Sequence, residues 1–185
     1  MIVVVSGTKY MDCLNNSTNR WSNTKTGSYG KGVINNKRDP RRVERIGLLG
    51  EQAYAIYFNK EVDFTYRRGG DDYDFQLGPF SVDVKTTTMK DKAVFKYCQK
   101  SGRRIYPKCD IYVAAQLLEE QQENETAKIC LHGWLAKNEL DALATIEPGI
   151  YGYTEGEKGW LNYALYFNNL RTIEGLYQCQ LALEE

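Results

Sequence analysis

Charged residues crowd into the segment 69–88, "GGDDYDFQLGPFSVDVKTTT". Within each of two short runs, charged residues alternate with apolar ones: the charged residues are Asp72 and Asp74 in the first run and Asp83 and Lys85 in the second. The apolar set is Phe75, Leu77, Val82 and Val84. This alternation predicts a β-hairpin that has one buried side and one side carrying acids and a lysine.

A turn centred on Gly78-Pro79 would place Asp74 opposite Asp83, roughly 5 Å apart. Two carboxylates that close repel each other unless a proton or a metal ion lies between them. A hard cation such as Mg²⁺ suits them and keeps water in its remaining positions, where the water becomes a nucleophile for phosphodiester cleavage. Two alternatives stay open: a longer loop or slipped register, and a hairpin whose Asp/Lys pairs are ordinary surface ion pairs.

The segment "DPRRVERIGLLGEQAYAIYFNK" predicts a helix that has Asp39 as N-cap and Pro40 in the first turn and runs to about Phe58. Glu51 in this helix has only small or apolar neighbours one turn away: Gly47, Leu48, Tyr54 and Ala55. Because no basic residue on its own helix can pair with it, this carboxylate is a candidate site residue.

The strings "GLLGEQAYAIYF", "DDYDF" and "VDVKTT" together resemble the PD-(D/E)XK nuclease superfamily. The later "DIYVAAQLL" and "AKICLHGWLAKNEL" resemble its following strands, so the similarity covers residues 40–145. The resemblance implies an α/β, restriction-endonuclease-like core with a central mixed β-sheet flanked by helices. It also implies a metal-dependent nuclease that hydrolyses phosphodiester bonds, with DNA favoured over RNA.

Carried over residue by residue, the resemblance implies that Glu51, Asp74 and Asp83 hold Mg²⁺, or Mn²⁺ as a substitute. The backbone carbonyl of Val84 would be a further ligand. Lys85 would orient or deprotonate the attacking water. Tyr73 stands where many members have proline before the first hairpin acid, and Asp72 therefore stays open as the ligand in place of Asp74.

The net charge of zero hides basic blocks: residues 85–108 hold eight Lys/Arg against one Asp/Glu. This composition predicts phosphate contacts whose strength falls with salt, although a merely solvated face would look the same. The candidate nucleic-acid-binding residues are Lys90, Lys92, Lys96, Arg103 and Arg104. Tyr97 and Tyr106, interleaved with them, would either stack on bases or pack.

We expect the whole chain, 1–185, to form one domain. A polar basic segment over 1–39 precedes its core, and an extension follows residue 145. We expect a first strand in "MIVVVSGTKY", irregular structure over 6–39 and 89–108, and a strand over 62–66. Further expected elements are strands at 110–118 and 127–135, a short helix over 136–144 and a last helix within 168–176.

No apolar run is long enough for a membrane span, so we expect a cytoplasmic protein, in the host cytoplasm if it is phage-encoded. Five scattered cysteines without a CxxC pair favour reduced thiols over a zinc site. The single histidine, His132, has no nucleophile motif beside it, so we expect a packed or surface histidine rather than a catalytic one. A homodimer would suit cutting of both strands. The rival to the nuclease is an inactive protein of the same fold that binds nucleic acid or acts in assembly.

Overall fold

The computed structural model describes residues 1–26, 40–65, 72–98, 106–148 and 161–184, of which 20–26, 40, 95–98 and 148 are described in backbone alone. The strands are β1 (Ile2–Ser6), β2 (Phe75–Leu77), β3 (Phe80–Thr87), β4 (Lys92–Cys98), β5 (Ile111–Gln121), β6 (Thr126–Ala136), β7 (Thr145–Pro148) and β8 (Leu161–Tyr166). The helices are α1 (Thr8–Thr26), α2 (Pro40–Phe58), α3 (Leu140–Leu143) and α4 (Ile173–Glu184).

The main sheet is mixed and has the strand order β1-β6-β5-β3-β2. Only β3 and β5 pair in parallel; the other neighbours are antiparallel. A second sheet, in the order β4-β8-β7, packs over the other side of β3 and β5 from α2. The chain is thus a mixed α/β structure with helices flanking a mixed sheet, which confirms the coarse fold prediction.

Two apolar clusters hold these layers together. The larger lies between α1, α2, α4 and the main sheet, and it buries Leu48, Tyr54 and Val113 completely. The smaller lies between the two sheets and includes Tyr112 and Tyr163. Strand β5 is buried on both sides and reads as a continuous apolar run for that reason.

Helix α2 packs on the main sheet through its buried apolar residues, and it approaches β3 closely at Gly50. A Cβ at Gly50 would lie 1.9 Å from Thr86 Oγ1, so only glycine permits this helix–strand distance. The helix ends at Phe58, followed by Asn59 at a φ of 52°. The Gln180 side chain of α4 donates to the Phe58 carbonyl at 3.3 Å and so satisfies one terminal acceptor.

The structure confirms β1, α2, β5, β6 and a helical turn after β6, and it corrects four expectations. Residues 8–26 form α1 rather than irregular structure, because Tyr10, Cys13 and Ser17 are buried at helical spacing against the core. Residues 27–39 lie outside the described residues.

The other three corrections concern pairing and boundaries. Residues 62–65 form no strand; Val62 and Phe64 pack on the core but have no ladder partner among the described residues. Residues 92–98 form β4, because they pair with the distant β8. The last helix begins only at Ile173. In the described part of the chain no helix is both long and apolar enough to cross a membrane.

Candidate active site

The hairpin register brings the two predicted acids together. Phe75 pairs with Val82 and Leu77 pairs with Phe80 around the Gly78-Pro79 turn, where Gly78 has a φ of 57°. Asp74 directly precedes β2 and lies close enough to Asp83 for the two negative charges to repel each other. The backbone N–H of Asp74 donates to the Val82 carbonyl at 2.9 Å, which keeps Asp74 beside β3. The predicted register is confirmed.

Asp74 directly precedes β2, where β3 extends beyond its partner strand and has no further neighbour on this side among the described residues. The backbone N–H of Val84 donates to Asp74 Oδ2 at 2.7 Å, so the carboxylate takes the place of the next ladder acceptor. Because the N–H and C=O of one strand residue point to the same edge, the Val84 carbonyl also faces the Asp74 side of β3. This edge therefore gathers a carboxylate and a backbone carbonyl.

Asp83 and Lys85 lie two residues apart on β3 and point to the same face of the sheet. Lys85 Nζ forms an ion pair with Asp83 Oδ1 at 2.7 Å. The two side chains are 32% and 17% exposed, respectively, so the pair is largely removed from bulk solvent yet open to a ligand. Burial by itself would lower the pKa of Lys85, but the charge and hydrogen bond of Asp83 raise it overall.

Glu51 reaches this site from helix α2. It is half-buried, and its helix neighbours Leu48, Tyr54 and Ala55 are fully buried, so it lies on the core-facing side of α2. Burial raises the pKa of Asp74 well above its usual range, and the negative charges of Glu51 and Asp83 raise it further. The Val84 N–H and the Lys85 charge oppose this rise without cancelling it. The site thus holds a surplus of negative charge.

Asp72 is not part of this group. Its side chain is 78% exposed and pairs with Lys108 Nζ at 2.6 Å, and this hydrogen bond lowers the pKa of Asp72. Of the two alternatives for the hairpin acid, the geometry selects Asp74.

Cys109 is a site neighbour that sequence reasoning missed. Its thiol donates to the Asp72 carbonyl at 3.1 Å, and burial, followed by the charges of Asp83 and Asp74, raises its pKa to about 12. Cys109 comes two residues before β5, and the parallel pairing of β5 with β3 brings it beside the acids. No local sequence pattern signals such a pairing.

The predicted nucleic-acid-binding residues divide into four groups. Lys90 is exposed beyond the end of β3. Lys92 Nζ donates to Glu147 Oε2 at 2.5 Å and to the Tyr166 hydroxyl at 3.1 Å. Because these groups already bind its ammonium, Lys92 is not available to contact a phosphate. Lys96 belongs to β4, with its backbone alone described. Arg103 and Arg104 lie outside the described residues.

Two further expectations concern single residues. His132 packs, as expected: its ring stacks on Phe167 at 3.6 Å, and its Nε2 lies 2.8 Å from Gln116 Oε1. The four cysteines whose side chains are described, Cys13, Cys109, Cys130 and Cys179, form no disulfide with one another.

The donor set at the hairpin fits a hard divalent cation in type and in charge. Asp74, Asp83 and Glu51 are carboxylates; burial raises the pKa of Asp74 most, and the charges of Glu51 and Asp83, which raise it further, are charges that a cation would neutralise. In the described ranges, no three or more His, Cys, Asp or Glu side chains are placed so that they could hold a metal ion together, and this includes Asp74, Asp83 and Glu51. Mg²⁺ does not need such a group, because it binds through one or two carboxylates and keeps several waters.

No family model matches this chain, and neither the curated proteins nor the solved structures contain a match to it.

Proposed function

We propose that this protein is a metal-dependent nuclease that hydrolyses phosphodiester bonds, with DNA favoured over RNA through the resemblance. The observation that carries the proposal is that Asp74, which accepts a hydrogen bond from the Val84 N–H, lies close to the Asp83–Lys85 ion pair on β3. The restriction-endonuclease-like assignment of the core belongs to the same proposal. It is supported by the order of an acid-bearing helix, a hairpin and a strand parallel to β3.

Asp74, Asp83, Glu51 and the Val84 carbonyl would hold Mg²⁺, or Mn²⁺ in its place. When bound, the cation supplies a lowered pKa for water and a positive charge against the phosphate. The Val84 N–H fixes the Asp74 carboxylate at 2.7 Å, so this ligand is oriented before substrate arrives. Preorganised donors of this kind cost little reorganisation during the reaction.

Lys85 supplies three N–H donors at the edge of this carboxylate group. Its ion pair with Asp83 fixes the ammonium beside the acids. From there it would donate to a phosphate oxygen and to the attacking water, which stabilises charge that grows in the transition state. Loss of one such donor typically lowers kcat by about 10²–10³-fold.

A second candidate function is an inactive protein of the same fold that binds nucleic acid or acts in assembly. The ion pair itself favours it: Lys85 Nζ already neutralises one oxygen of Asp83. In that case the lysine takes the place of the cation. The two candidates differ in metal binding and in cleavage.

The test is incubation of linear, circular and single-stranded DNA with Mg²⁺, Mn²⁺ or EDTA, using wild type, Lys85→Ala and Asp83→Ala. Lys60→Ala is the matched control, since it removes an exposed ion pair with Glu184 on α4. We expect metal-dependent cleavage by wild type and Lys60→Ala, and a loss of about 10²-fold or more in the other two variants. Binding without cleavage by wild type would establish the second candidate instead.

A further inference from the structure

A polar cavity of about 620 Å³ lies where α2 begins, close to the ends of β3 and β5. Arg42 and Arg45 line it from the first two turns of α2, and Thr88 lines it directly after β3. Residues 117–120 and 122, from β5 and the turn that follows, complete the lining. The volume is that of a small-ligand site, for which about 300–1,000 Å³ is usual.

One acid of the lining, Glu120, is already saturated by donors from the protein. Its Oε1 accepts from Arg45 Nε at 2.6 Å and from the Tyr10 hydroxyl at 3.0 Å, and its Oε2 accepts from Arg45 Nη2 at 3.3 Å. The Arg45 and Glu120 side chains are both 10% exposed, so the pair is a fixed, neutral part of the wall.

The other acid, Glu119, is engaged in the same way, whereas Arg42 is not. Glu119 Oε2 binds Lys128 Nζ at 2.6 Å, and its Oε1 accepts from the Gln121 side-chain amide. Arg42 is exposed and has no hydrogen-bond or ion-pair partner among the described residues. Because each acid already has its own cation, the charge of Arg42 is left uncompensated in this cavity.

Hydrogen-bond donors are therefore in excess at this place. The Arg42 guanidinium carries five N–H donors, and the Thr88 hydroxyl and the Gln122 amide line the cavity beside it. Lys90 is exposed and follows Thr88 by two residues, so its backbone lies within about 7 Å of that of Thr88. A group that is negatively charged and accepts several hydrogen bonds fits these donors. Phosphate is such a group, and arginine binds it with two parallel hydrogen bonds.

The cavity lies on the same helix and strand as the candidate active site. Arg42 precedes Glu51 by nine residues on α2, which is about 14 Å along the helix axis. Thr88 follows Lys85 by three residues, which is about 10 Å of extended chain. One nucleic-acid strand carries a phosphate per about 3.4 Å of its axis, so about three or four nucleotides span this distance.

We propose that this cavity is a phosphate-binding site, in which Arg42 donates charge-assisted hydrogen bonds to a phosphate group of a nucleic-acid strand. The phosphate lies three or four nucleotides from the bond that is cut, a placement that rests on the proposed nuclease function. A phosphodiester within the strand and a phosphate at its end offer the same chemistry, and the experiment separates these two sources.

The experiment measures binding of the full chain to labelled DNA strands of about 12 nucleotides by fluorescence anisotropy. EDTA is present, so that cleavage plays no part, and salt is varied from about 50 to about 200 mM. One strand ends in a 5′-phosphate and the other in a 5′-hydroxyl. The variants are Arg42→Ala and Arg42→Lys, and Lys60→Ala removes one exposed positive charge beyond the other end of α2 as the matched control. Circular dichroism verifies the fold of each variant.

We expect Arg42→Ala to bind about 10-fold more weakly at the lowest salt, because a hydrogen-bonded charge pair is lost. Its plot of log affinity against log salt concentration should also be less steep by about 0.7, the contribution of one phosphate contact in a single strand. Arg42→Lys should keep the slope, and Lys60→Ala should keep both slope and affinity. Equal losses on the two strands identify an internal phosphodiester, whereas a loss on the 5′-phosphorylated strand alone identifies a terminal phosphate.

The phosphate site is refuted if Arg42→Ala binds with the slope and affinity of wild type, if Lys60→Ala loses as much, or if wild type binds neither strand. Arg42-dependent binding without any Mg²⁺-dependent cleavage would overturn the proposed nuclease and leave the phosphate site in place. Metal-dependent cleavage by wild type, together with wild-type binding by Arg42→Ala, would do the reverse.

Discussion

Replacement of Gly50 by alanine tests how α2 is held over β3 and so how Glu51 is positioned. A Cβ at this position would lie 1.9 Å from Thr86 Oγ1 and 2.9 Å from Thr86 Cβ and Cγ2. Rotation of the threonine side chain can move Oγ1 and Cγ2, but its Cβ is fixed by the strand. Carbon atoms in contact normally stay about 3.5–4.0 Å apart, so α2 has to move away from β3.

The net effect combines two opposing contributions. Forcing an extra carbon into a packed interface costs about 1–3 kcal/mol, and replacing glycine by alanine within a helix gains about 0.5–1 kcal/mol. We therefore expect Gly50→Ala to lower the free energy of unfolding by roughly 0–2.5 kcal/mol. Activity should fall as well, because Glu51 is the next residue.

Gly47 provides the matched control on the same helix. A Cβ at Gly47 would meet no atom within 4 Å, so Gly47→Ala should raise the free energy of unfolding by about 0.5–1 kcal/mol. The assay is urea unfolding followed by circular dichroism, and Thr86→Ala in the Gly50→Ala background should recover part of the loss. Equal stability of the two glycine variants would refute the close approach of α2 to β3.

Two further predictions concern buried polar groups. Tyr54 has a buried hydroxyl with no hydrogen-bond partner among the described residues, so Tyr54→Phe should raise the free energy of unfolding in urea by about 1 kcal/mol; a loss of that size would mean that the hydroxyl is bonded. Arg45 binds Glu120 at 2.6 Å with both side chains 10% exposed, so Arg45→Ala should cost about 3–5 kcal/mol by leaving a buried charge. Lys128→Ala breaks the exposed ion pair with Glu119, the neighbour of Glu120 on β5, and should cost under about 1 kcal/mol in the same assay. Similar losses in Arg45→Ala and Lys128→Ala would contradict the difference in burial.

The features around the site that the sequence predicts correctly are those that local sequence patterns determine. Alternation around Gly78-Pro79 determines the hairpin register, and Pro40 with the apolar spacing of α2 determines that helix and the side on which Glu51 lies. Each of these features depends on residues near each other in the chain. Their geometry follows from strand and helix periodicity.

The features that the sequence does not reveal depend on distant contacts. Helix α1 is rich in Asn, Ser and Thr, which have weak helix propensity, and it forms because Tyr10 and Cys13 pack against the core. Cys109 reaches the acids only through the parallel pairing of β3 with β5, and Lys92 is held by Glu147 of β7. Tertiary packing decides each case, and no local period encodes it.

The measurement that tests the central claim most directly is calorimetric titration of Mg²⁺ and Mn²⁺ into wild type, Asp74→Asn and Asp72→Asn. Both substitutions preserve the shape of the side chain. Asp74 lies close to Asp83 and Glu51, whereas Asp72 is exposed and forms an ion pair with Lys108. We predict that wild type and Asp72→Asn bind one divalent cation with equal affinity and that Asp74→Asn binds it at least about 10-fold more weakly. Absence of binding by wild type, or equal affinity in Asp74→Asn, would contradict a metal site at the hairpin.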